Sequence, residues 1–218
     1  MTSHASFRPA WQDHVADALD LVMPVWCAGC DAPGRPLCEA CRTEISRPAR
    51  RESRGLEVWS AARYEGATAR AVRALKEDGR TGLVRPLGAL LTQLIRTAGW
   101  SDVALVPVPS SRAAMRRRGY AVPELLARRC DAPVARLLRA RGRVADQRLL
   151  GRSDRQRNVA GSFVARPGTG SVVIIDDVMT TGATLREAQR TLTAAGLRVT
   201  GAAVLADTPL QIFPGVHE

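Results

Sequence analysis

The sequence predicts an α/β fold, in which a parallel sheet is flanked by helices and follows a small cysteine-rich module. The run Val172–Ile175 contains four β-branched residues, which is typical of a strand buried on both faces of a parallel sheet. From Val103 onward, strand patterns alternate with helical periodicity, as expected when helices connect parallel strands. Four cysteines before these segments form two C-x-x-C pairs, which predicts a separate small module.

Length and charge limit the possible functions. The 218 residues suffice for one α/β domain and a small appendage, and the formal net charge of +11 favours polyanionic partners. We expect a cytoplasmic protein without a membrane span, because no apolar run reaches about eighteen residues and no secretory signal is evident. Among the 32 basic residues only Lys76 is a lysine, which indicates either a need for a compact ammonium group or an ordinary surface position.

The first segment with clear periodicity is a short amphipathic helix. Apolar side chains in residues 10–23 fall on one helical face, and Pro24 ends the pattern. The opposite face is acidic, whereas helices at membrane surfaces usually carry basic residues there. We therefore expect this helix to pack on its own protein.

The two C-x-x-C pairs predict a structural zinc site. The candidate ligands are Cys27, Cys30, Cys38 and Cys41. Four thiolates match tetrahedral Zn²⁺ and leave no open coordination position, and the proline- and glycine-containing spacer 31–37 favours a tight reversal between the pairs. Disulfides or a redox-active C-x-x-C are the alternatives, of which disulfides are disfavoured in a cytoplasmic chain.

Residues 48–55 are polar and rich in arginine, which predicts a linker. We therefore expect two modules, with the amphipathic helix and a zinc-ribbon-like four-cysteine module in residues 1–50 and the larger domain in residues 51–218. Strands of the larger domain are predicted at residues 56–64, 103–108, 134–138, 172–175 and 199–206. Helices are predicted at residues 66–75, 83–98, 123–130 and 185–195. The polar stretch 139–158 is predicted to be a functional or mobile loop, and the tail from residue 207 to be coil.

The strand at Val172–Ile175 leads into the residues with the clearest chemistry. Asp176 and Asp177 follow the strand, and the segment Thr180–Thr184 then precedes a helix. Threonine hydroxyls and the backbone N–H groups at the helix N-terminus favour a bound phosphate, and Gly182 lets the backbone approach closely. Two carboxylates would repel that phosphate unless they accept hydrogen bonds from sugar hydroxyls or face Mg²⁺. The pattern predicts a phosphorylated sugar with a vicinal diol as ligand.

The alternative is an ordinary buried strand with a threonine-rich turn. Adjacent aspartates at a buried strand end would then cost stability without any ligand to offset it. The glycines match neither a Walker A loop nor a dinucleotide-binding fingerprint, and the missing Walker lysine excludes a motor.

The segment Asp176–Thr184, behind its β-branched strand, resembles the 5-phosphoribosyl-1-pyrophosphate (PRPP) loop of type I phosphoribosyltransferases. The resemblance implies a type I phosphoribosyltransferase-like sheet and Mg²⁺ bound together with PRPP. It implies PRPP contacts from Asp176, Asp177, Thr180, Thr181, Gly182, Ala183 and Thr184.

Nearly the whole chain resembles the ComF/GntX family, phosphoribosyltransferase-like proteins associated with competence and DNA uptake. The resemblance rests on the four cysteines, Tyr64-x-Gly66, Leu75-Lys76, Val106-Pro107-Val108-Pro109, Arg117-Arg118-Gly119-Tyr120, Gln147, Arg155, Asn158-Val159 and Phe163. The chain departs from the family at Ala121-Val122, where Asn-Gln is usual. A polar contact made by that pair is lost here or supplied elsewhere.

The same resemblance implies roles for several cationic residues. In the family fold, the loop after the first core strand cradles pyrophosphate, which here is Pro109, Ser110, Ser111 and Arg112. The candidate catalytic residues, which would stabilise the departing pyrophosphate, are Lys76, Arg112, Arg118 and Arg155. The stretch 139–158 is a candidate to close over the ligand and exclude water.

Two classes of function compete. An enzyme would transfer the phosphoribosyl group with release of pyrophosphate. A non-catalytic accessory protein of a DNA-uptake complex would instead sense PRPP or a nucleotide, or hold single-stranded DNA beside a helicase partner. Residues 109–157 contain 14 arginines and four acidic residues, but Tyr120 is the only aromatic side chain there, and single-stranded DNA binding usually depends on stacking. The acceptor substrate and the oligomeric state stay open.

Overall fold

The computed structural model describes residues 25–141 and 159–208, which form a five-stranded sheet flanked by helices, a two-stranded ribbon and the cysteine module. The helices are α1 (Glu39–Ile45), α2 (Gly66–Lys76), α3 (Val84–Thr97, after a 3-10 turn at Thr81–Leu83), α4 (Arg112–Arg118), α5 (Val122–Ala127) and α6 (Ala183–Ala194). The strands are β1 (Ala49–Ser53), β2 (Leu56–Arg63), β3 (Ala104–Pro107), β4 (Leu138–Ala140), β5 (Phe163–Ala165), β6 (Ser171–Met179) and β7 (Arg198–Asp207). The predicted helix at residues 10–23 and the candidate Arg155 lie outside the described residues, as do the tail from residue 209 and most of the polar stretch 139–158.

The strand order of the sheet is β1-β2-β7-β6-β3. The strands β2, β7, β6 and β3 pair in parallel, and only β1 runs antiparallel, to β2. The prediction of an α/β fold with a mostly parallel sheet is confirmed. Parallel strands have their C-terminal ends on one side of the sheet, which we call the carboxyl edge. The residues that follow Arg63, Pro107, Met179 and Asp207 are therefore brought together there.

The apolar core explains the β-branched run of the central strand. Val173 and Ile175 pack on the face of the sheet that α2, α3 and α5 cover. Val172 and Ile174 pack on the opposite face, against α6. All four side chains are buried. A strand without a solvent-facing side has no polar alternation, so the run predicted it correctly.

The predicted linker at residues 48–55 is wrong, because β1 fills most of it. The strand pairs with β2 up to Ser53 and Leu56, and the two-residue turn between them has positive φ at Arg54 (51°) and Gly55 (80°). An edge strand commonly carries exposed charged side chains, so the polar and arginine-rich sequence of β1 resembles that of a linker.

One further expectation needs correction, and one helix was missed. A strand at residues 134–138 is wrong, because Val134 forms only a single parallel bridge to Leu105 and β4 begins at Leu138. The helix α4 was not predicted at all. Its side chains are mostly exposed arginines, and Ala114 alone is buried, so it lacks apolar periodicity. The Ser111 hydroxyl caps its start by accepting the Ala114 N–H at 3.2 Å.

The cysteine module packs directly on the first turn of α2. Cys27, Cys41 and Ile45 belong to the same apolar cluster as residues of α2 and α3. The Glu44 carboxylate accepts the Ala67 N–H at 3.2 Å, which satisfies one of the free donors at the start of α2. In the described part of the chain, we find no helix with the length and apolarity to cross a membrane.

Candidate functional site

The two central carboxylates lie within the last part of β6. The strand continues to Met179, with Asp176 paired to Val204 of β7, so the expectation that both aspartates follow the strand is wrong. Both side chains are half-buried at the carboxyl edge of the sheet. Asp176 and Asp177 do not end β6, because its partner β7 also continues. The backbone pairing of the two strands therefore extends beyond the apolar residues.

Asp177 forms an ion pair with the only lysine of the chain. The Lys76 Nζ lies 2.7 Å from the Asp177 Oδ1, and the two side chains are 27% and 13% exposed. Lys76 is the last residue of α2, and the Tyr120 hydroxyl donates to the carbonyl of Leu75 at 2.6 Å. The end of α2 is thereby fixed, and the lysine is directed at the acidic pair instead of solvent.

Asp176 forms no ion pair with a described residue. Burial, together with the negative charge of Asp177, raises the pKa of Asp176 to about 8, although the Asp177 N–H donates to its Oδ1 at 2.8 Å. Without ligand, this carboxyl is therefore mostly protonated at neutral pH. A ligand that supplies hydroxyl donors or a cation would favour the ionised form.

The segment Thr180–Thr184 comprises the turn between β6 and α6, residues 180–182, and the first two residues of α6. Gly182 is the residue before the first turn of α6 and has φ of 71°, in the left-handed region that favours glycine. A Cβ atom at Gly182 would lie 2.7 Å from the Ser53 Oγ, so the loop and β1 are in close contact. Within the turn, the Thr181 hydroxyl lies 3.4 Å from the Ala183 N–H. The turn presents the N-terminus of a 12-residue helix beside the acidic pair.

The predicted pyrophosphate loop, residues 109–112, lies at the same edge of the sheet. Its strand β3 neighbours β6, and the Val108 N–H still donates to the carbonyl of Ile175 at 2.9 Å. Pro109 and Ser110 follow without further pairing and are half-buried. The Ser111 hydroxyl is engaged as the cap of α4, so the anion-directed groups that remain in the loop are backbone N–H groups, the Ser110 hydroxyl and Arg112.

Of the four candidate catalytic cations, the described chain brings only Lys76 into contact with the acidic pair. Arg112 is exposed at the start of α4 and forms no hydrogen bond to a described residue. Arg118 is half-buried, and its Nε is enclosed without a hydrogen-bond partner among the described residues. Val122 stands where the resemblance to the ComF/GntX family leads us to expect glutamine, and its side chain is fully buried in the core.

Several residues at this edge were missed by sequence reasoning. Asp207, the last residue of β7, is buried and accepts from Arg51 Nη1 at 2.6 Å and from the Ser60 hydroxyl at 3.0 Å. Arg186 donates to Ser53 and to the backbone of the loop. An aspartate at the end of the apolar run 202–206 was the available signal for Asp207. The partners on β1 gave none, because that segment was interpreted as a linker.

A cavity of about 590 Å³ opens at the opposite edge of the sheet, near the start of β3 and β6. Its lining includes Arg96, Trp100, Asp102 and Asp131. Arg96 and Asp131 pair with each other at 2.6 Å. The cavity does not adjoin the acidic pair, and we assign it no part in the chemistry described below.

The four cysteines of the N-terminal module lie together. Their Sγ atoms are all within 4.8 Å of one another, and Cys30 Sγ and Cys38 Sγ are 3.6 Å apart. Tetrahedral Zn–S bonds of about 2.3 Å would separate sulfur atoms by about 3.8 Å, so the cluster fits zinc with little rearrangement.

The electrostatics of the cluster also suit a metal. Burial raises the pKa of Cys27, but the N–H groups of Cys38 and Gly29, each 3.3 Å from its Sγ, outweigh burial and lower that pKa to about 6. Burial raises the pKa of Cys41 well above its ordinary value. A cation would be needed to ionise Cys41, and the four protein ligands would leave zinc in a structural role.

We expect purified, reduced protein to carry one zinc ion per chain, and Cys38→Ser to release it. The variant should lower the melting temperature by more than about 5 °C, because the module shares its core with α2 and about 1 kcal/mol corresponds to about 2–4 °C at this size. Metal analysis and thermal unfolding measure both effects, with Cys130→Ser as the matched control. A wild-type protein that keeps its melting temperature after chelation would contradict a zinc site.

We expect Asp176→Asn to stabilise the ligand-free protein at neutral pH but not in acid. The folded chain binds a proton at Asp176 up to about pH 8, whereas an unfolded aspartate releases it near about pH 3.9. The stability of the wild type therefore decreases as the pH rises from about 3.9 to about 8. The gain at pH 7 should be on the order of 2–4 kcal/mol and vanish below about pH 4. Denaturant unfolding at both pH values, with Asp131→Asn as control, measures it. A gain independent of pH would contradict the raised pKa.

Comparison with known proteins assigns the chain to a family through one match. A crystal structure of TT1426 from Thermus thermophilus is similar at 22% identity over 59% of this chain and 84% of that chain, with a TM-score of 0.31, and the assignment does not depend on it. Curated proteins give no match. A family model described as a phosphoribosyl transferase domain matches residues 82–214, which confirms the predicted enzyme class of phosphoribosyltransferase. Since that match covers more than half of the chain, the protein belongs to the phosphoribosyl transferase domain family.

Proposed function

We propose that the protein is a ComF-type phosphoribosyltransferase that binds PRPP with Mg²⁺ at Asp176, Asp177 and the loop Thr180–Thr184. The observation that carries the proposal is the pairing of Lys76 with Asp177 at 2.7 Å beside an Asp176 with a raised pKa. Half-buried carboxyl groups of this kind cost stability in the ligand-free protein. A ligand that donates hydrogen bonds to them would reduce that cost.

The 5-phosphate of the ligand would occupy the turn before α6. The N–H groups of the turn residues 181–184 lie at the helix N-terminus, where the helix dipole also favours an anion. Thr180, Thr181 and Thr184 add hydroxyl donors. Gly182 adopts the left-handed conformation that the turn requires, and a Cβ there would lie 2.7 Å from the Ser53 Oγ, so a larger residue would displace the turn.

The ribose would lie over the acidic pair. Each carboxylate would accept a hydrogen bond from one ribose hydroxyl, and charge-assisted bonds of this kind contribute about 1.5–3 kcal/mol apiece. Asp176 would lose its proton on binding, because hydroxyl donors and a nearby Mg²⁺ favour the ionised carboxylate. Lys76 would hold Asp177 ionised and correctly oriented throughout.

The pyrophosphate would lie against Pro109–Arg112, with Lys76, Arg118 and Arg155 as the proposed helpers. Transfer would break the bond between ribose C1 and the pyrophosphate oxygen, form a bond from C1 to the acceptor, and release pyrophosphate with the bonding electron pair. Mg²⁺ bound with the ligand would neutralise charge on the departing group. Arg112 and the backbone N–H groups of the loop would add to that stabilisation.

We extend the proposal to the wider role of the chain. The four-cysteine module would be structural, residues 1–50 and 51–218 would form two modules that share a core, and the protein would act in the cytoplasm in connection with DNA uptake. A PRPP- or nucleotide-sensing accessory protein is the second candidate. Exposed Arg116 and Arg117 on α4 favour contact with single-stranded DNA or a helicase complex near the site, which that role would require.

We expect the double variant Asp176→Asn/Asp177→Asn to bind PRPP two to four decades more weakly than wild type, because two charge-assisted hydrogen bonds are lost at about 1.4 kcal/mol per decade. Calorimetric titration with Mg²⁺ present measures this, and Asp131→Asn, an exposed carboxylate at the other edge of the sheet, is the control. Equal affinity of the double variant and wild type, or no affinity of wild type, would overturn the proposal.

A pyrophosphate-release assay over a panel of nucleobases separates the two candidate functions. Release with one acceptor identifies an enzyme and its substrate. PRPP binding without release under any condition supports the sensing role.

A further inference from the structure

We infer that Arg186, held in place by Ser53, is a cation that binds the phosphate in the loop Thr180–Thr184, so that the edge strand β1 forms part of ligand recognition. The inference rests on the proposed function, because it concerns the phosphate that would lie in the loop Thr180–Thr184. Neither residue was singled out by the sequence, and Ser53 lay in a segment interpreted as a linker.

The guanidinium of Arg186 is already oriented in the absence of ligand. Arg186 is the fourth residue of α6, and its Nη1 donates to the carbonyl of Thr181 and to the Ser53 Oγ, both at 2.8 Å. These two bonds use both hydrogens of Nη1. The three N–H donors of Nε and Nη2 make no hydrogen bond to a described residue, and they remain for a ligand.

The position of this cation is electrostatically unfavourable without an anion. Cations near a helix N-terminus oppose the helix dipole, and no described carboxylate lies within 4.0 Å of the Arg186 guanidinium. Neighbouring arginines differ in this respect, since Arg190 pairs with Glu187 at 2.8 Å and Arg51 pairs with Asp207 at 2.6 Å. A guanidinium without a described carboxylate partner, beside the free N–H groups of the turn, fits a dianionic phosphate monoester.

The strand β1 explains why the side chain stays in place. Arg51 and Ser53 are alternate residues of β1 and are both half-buried, so they lie on the same side of the strand. Arg51 is anchored by buried Asp207 and by the carbonyl of Thr208 at 3.1 Å. Ser53 Oγ and Arg186 Nη1 lie 2.7 and 3.1 Å from a Cβ placed on Gly182, so these groups are tightly packed. A side chain held in this way loses little entropy when it binds phosphate.

The inference predicts which part of the ligand Arg186 recognises. Sugar 5-phosphates would bind through it, whereas inorganic pyrophosphate with Mg²⁺ would bind at Pro109–Arg112 without it. If Arg186 only connected the loop to β1, its removal would lower the stability of the protein. It would also weaken the binding of sugar phosphates and of pyrophosphate to the same extent.

Titrations of ribose 5-phosphate, PRPP and Mg²⁺-pyrophosphate into wild type and Arg186→Gln test the inference. We expect the variant to bind both sugar phosphates about 10–100-fold more weakly, with a smaller salt dependence, and pyrophosphate within about twofold of wild type. Ser53→Ala should weaken sugar phosphates about threefold and add nothing in the Arg186→Gln background. The control is Arg198→Gln, because Arg198 Nε also donates to a serine hydroxyl, that of Ser171 at 3.0 Å, but at the other edge of the sheet.

The outcomes separate this inference from the proposed function. If wild type binds ribose 5-phosphate and Arg186→Gln binds it equally well, Arg186 is not a ligand-binding residue and the proposed function stands. If Arg186→Gln weakens pyrophosphate as much as the sugar phosphates, its role is only to support the loop, and the inference is wrong. If wild type binds no sugar phosphate, the proposed function fails and the inference fails with it.

Discussion

The structure depends on the placement of two adjacent carboxylates at the half-buried end of the central strand. Asp177 is neutralised by Lys76 at 2.7 Å, whereas Asp176 forms no ion pair with a described residue, and burial together with the charge of Asp177 raises its pKa to about 8. The elements around the two carboxylates position the groups that interact with them. α2 carries the lysine, Tyr120 fixes the end of α2, and α6 begins beside the acidic pair with its positive pole.

Polar contacts connect β1 and the cysteine module to the elements that surround the acidic pair. β1 reaches the end of β7 through Arg51 and Asp207, and it reaches the phosphate-directed turn through Ser53 and Arg186. The cysteine module caps the first turn of α2 through Glu44, while Lys76 ends the same helix. A single helix therefore links the candidate zinc site with the acidic pair, and a hairpin that resembles a linker in sequence supports the loop.

The sequence predicted most of the elements that bury apolar side chains, and it missed α1, β1, α4, β4 and β5, which bury few of them. The run Val172–Ile175 and the apolar face of α3 identified the core, and the acidic pair with its turn was recognised from residue types in order. β1 and α4 were missed, because an edge strand and a surface helix rich in arginine carry little apolar periodicity. Contacts such as Lys76 with Asp177, 101 positions apart, arise only from strand order and helix packing, which a local pattern does not encode.

The number of protons exchanged when PRPP binds tests the central claim most directly. Because the pKa of Asp176 is raised to about 8 without ligand, and the hydroxyl donors and Mg²⁺ of the bound ligand would favour the ionised carboxylate, binding at pH 7 should release about one proton. At about pH 9, where Asp176 is already ionised, the release should fall close to zero. Calorimetry with Mg²⁺ in buffers of different ionisation enthalpy gives this number. Binding without proton release at pH 7, or with the same release at both pH values, would contradict the account.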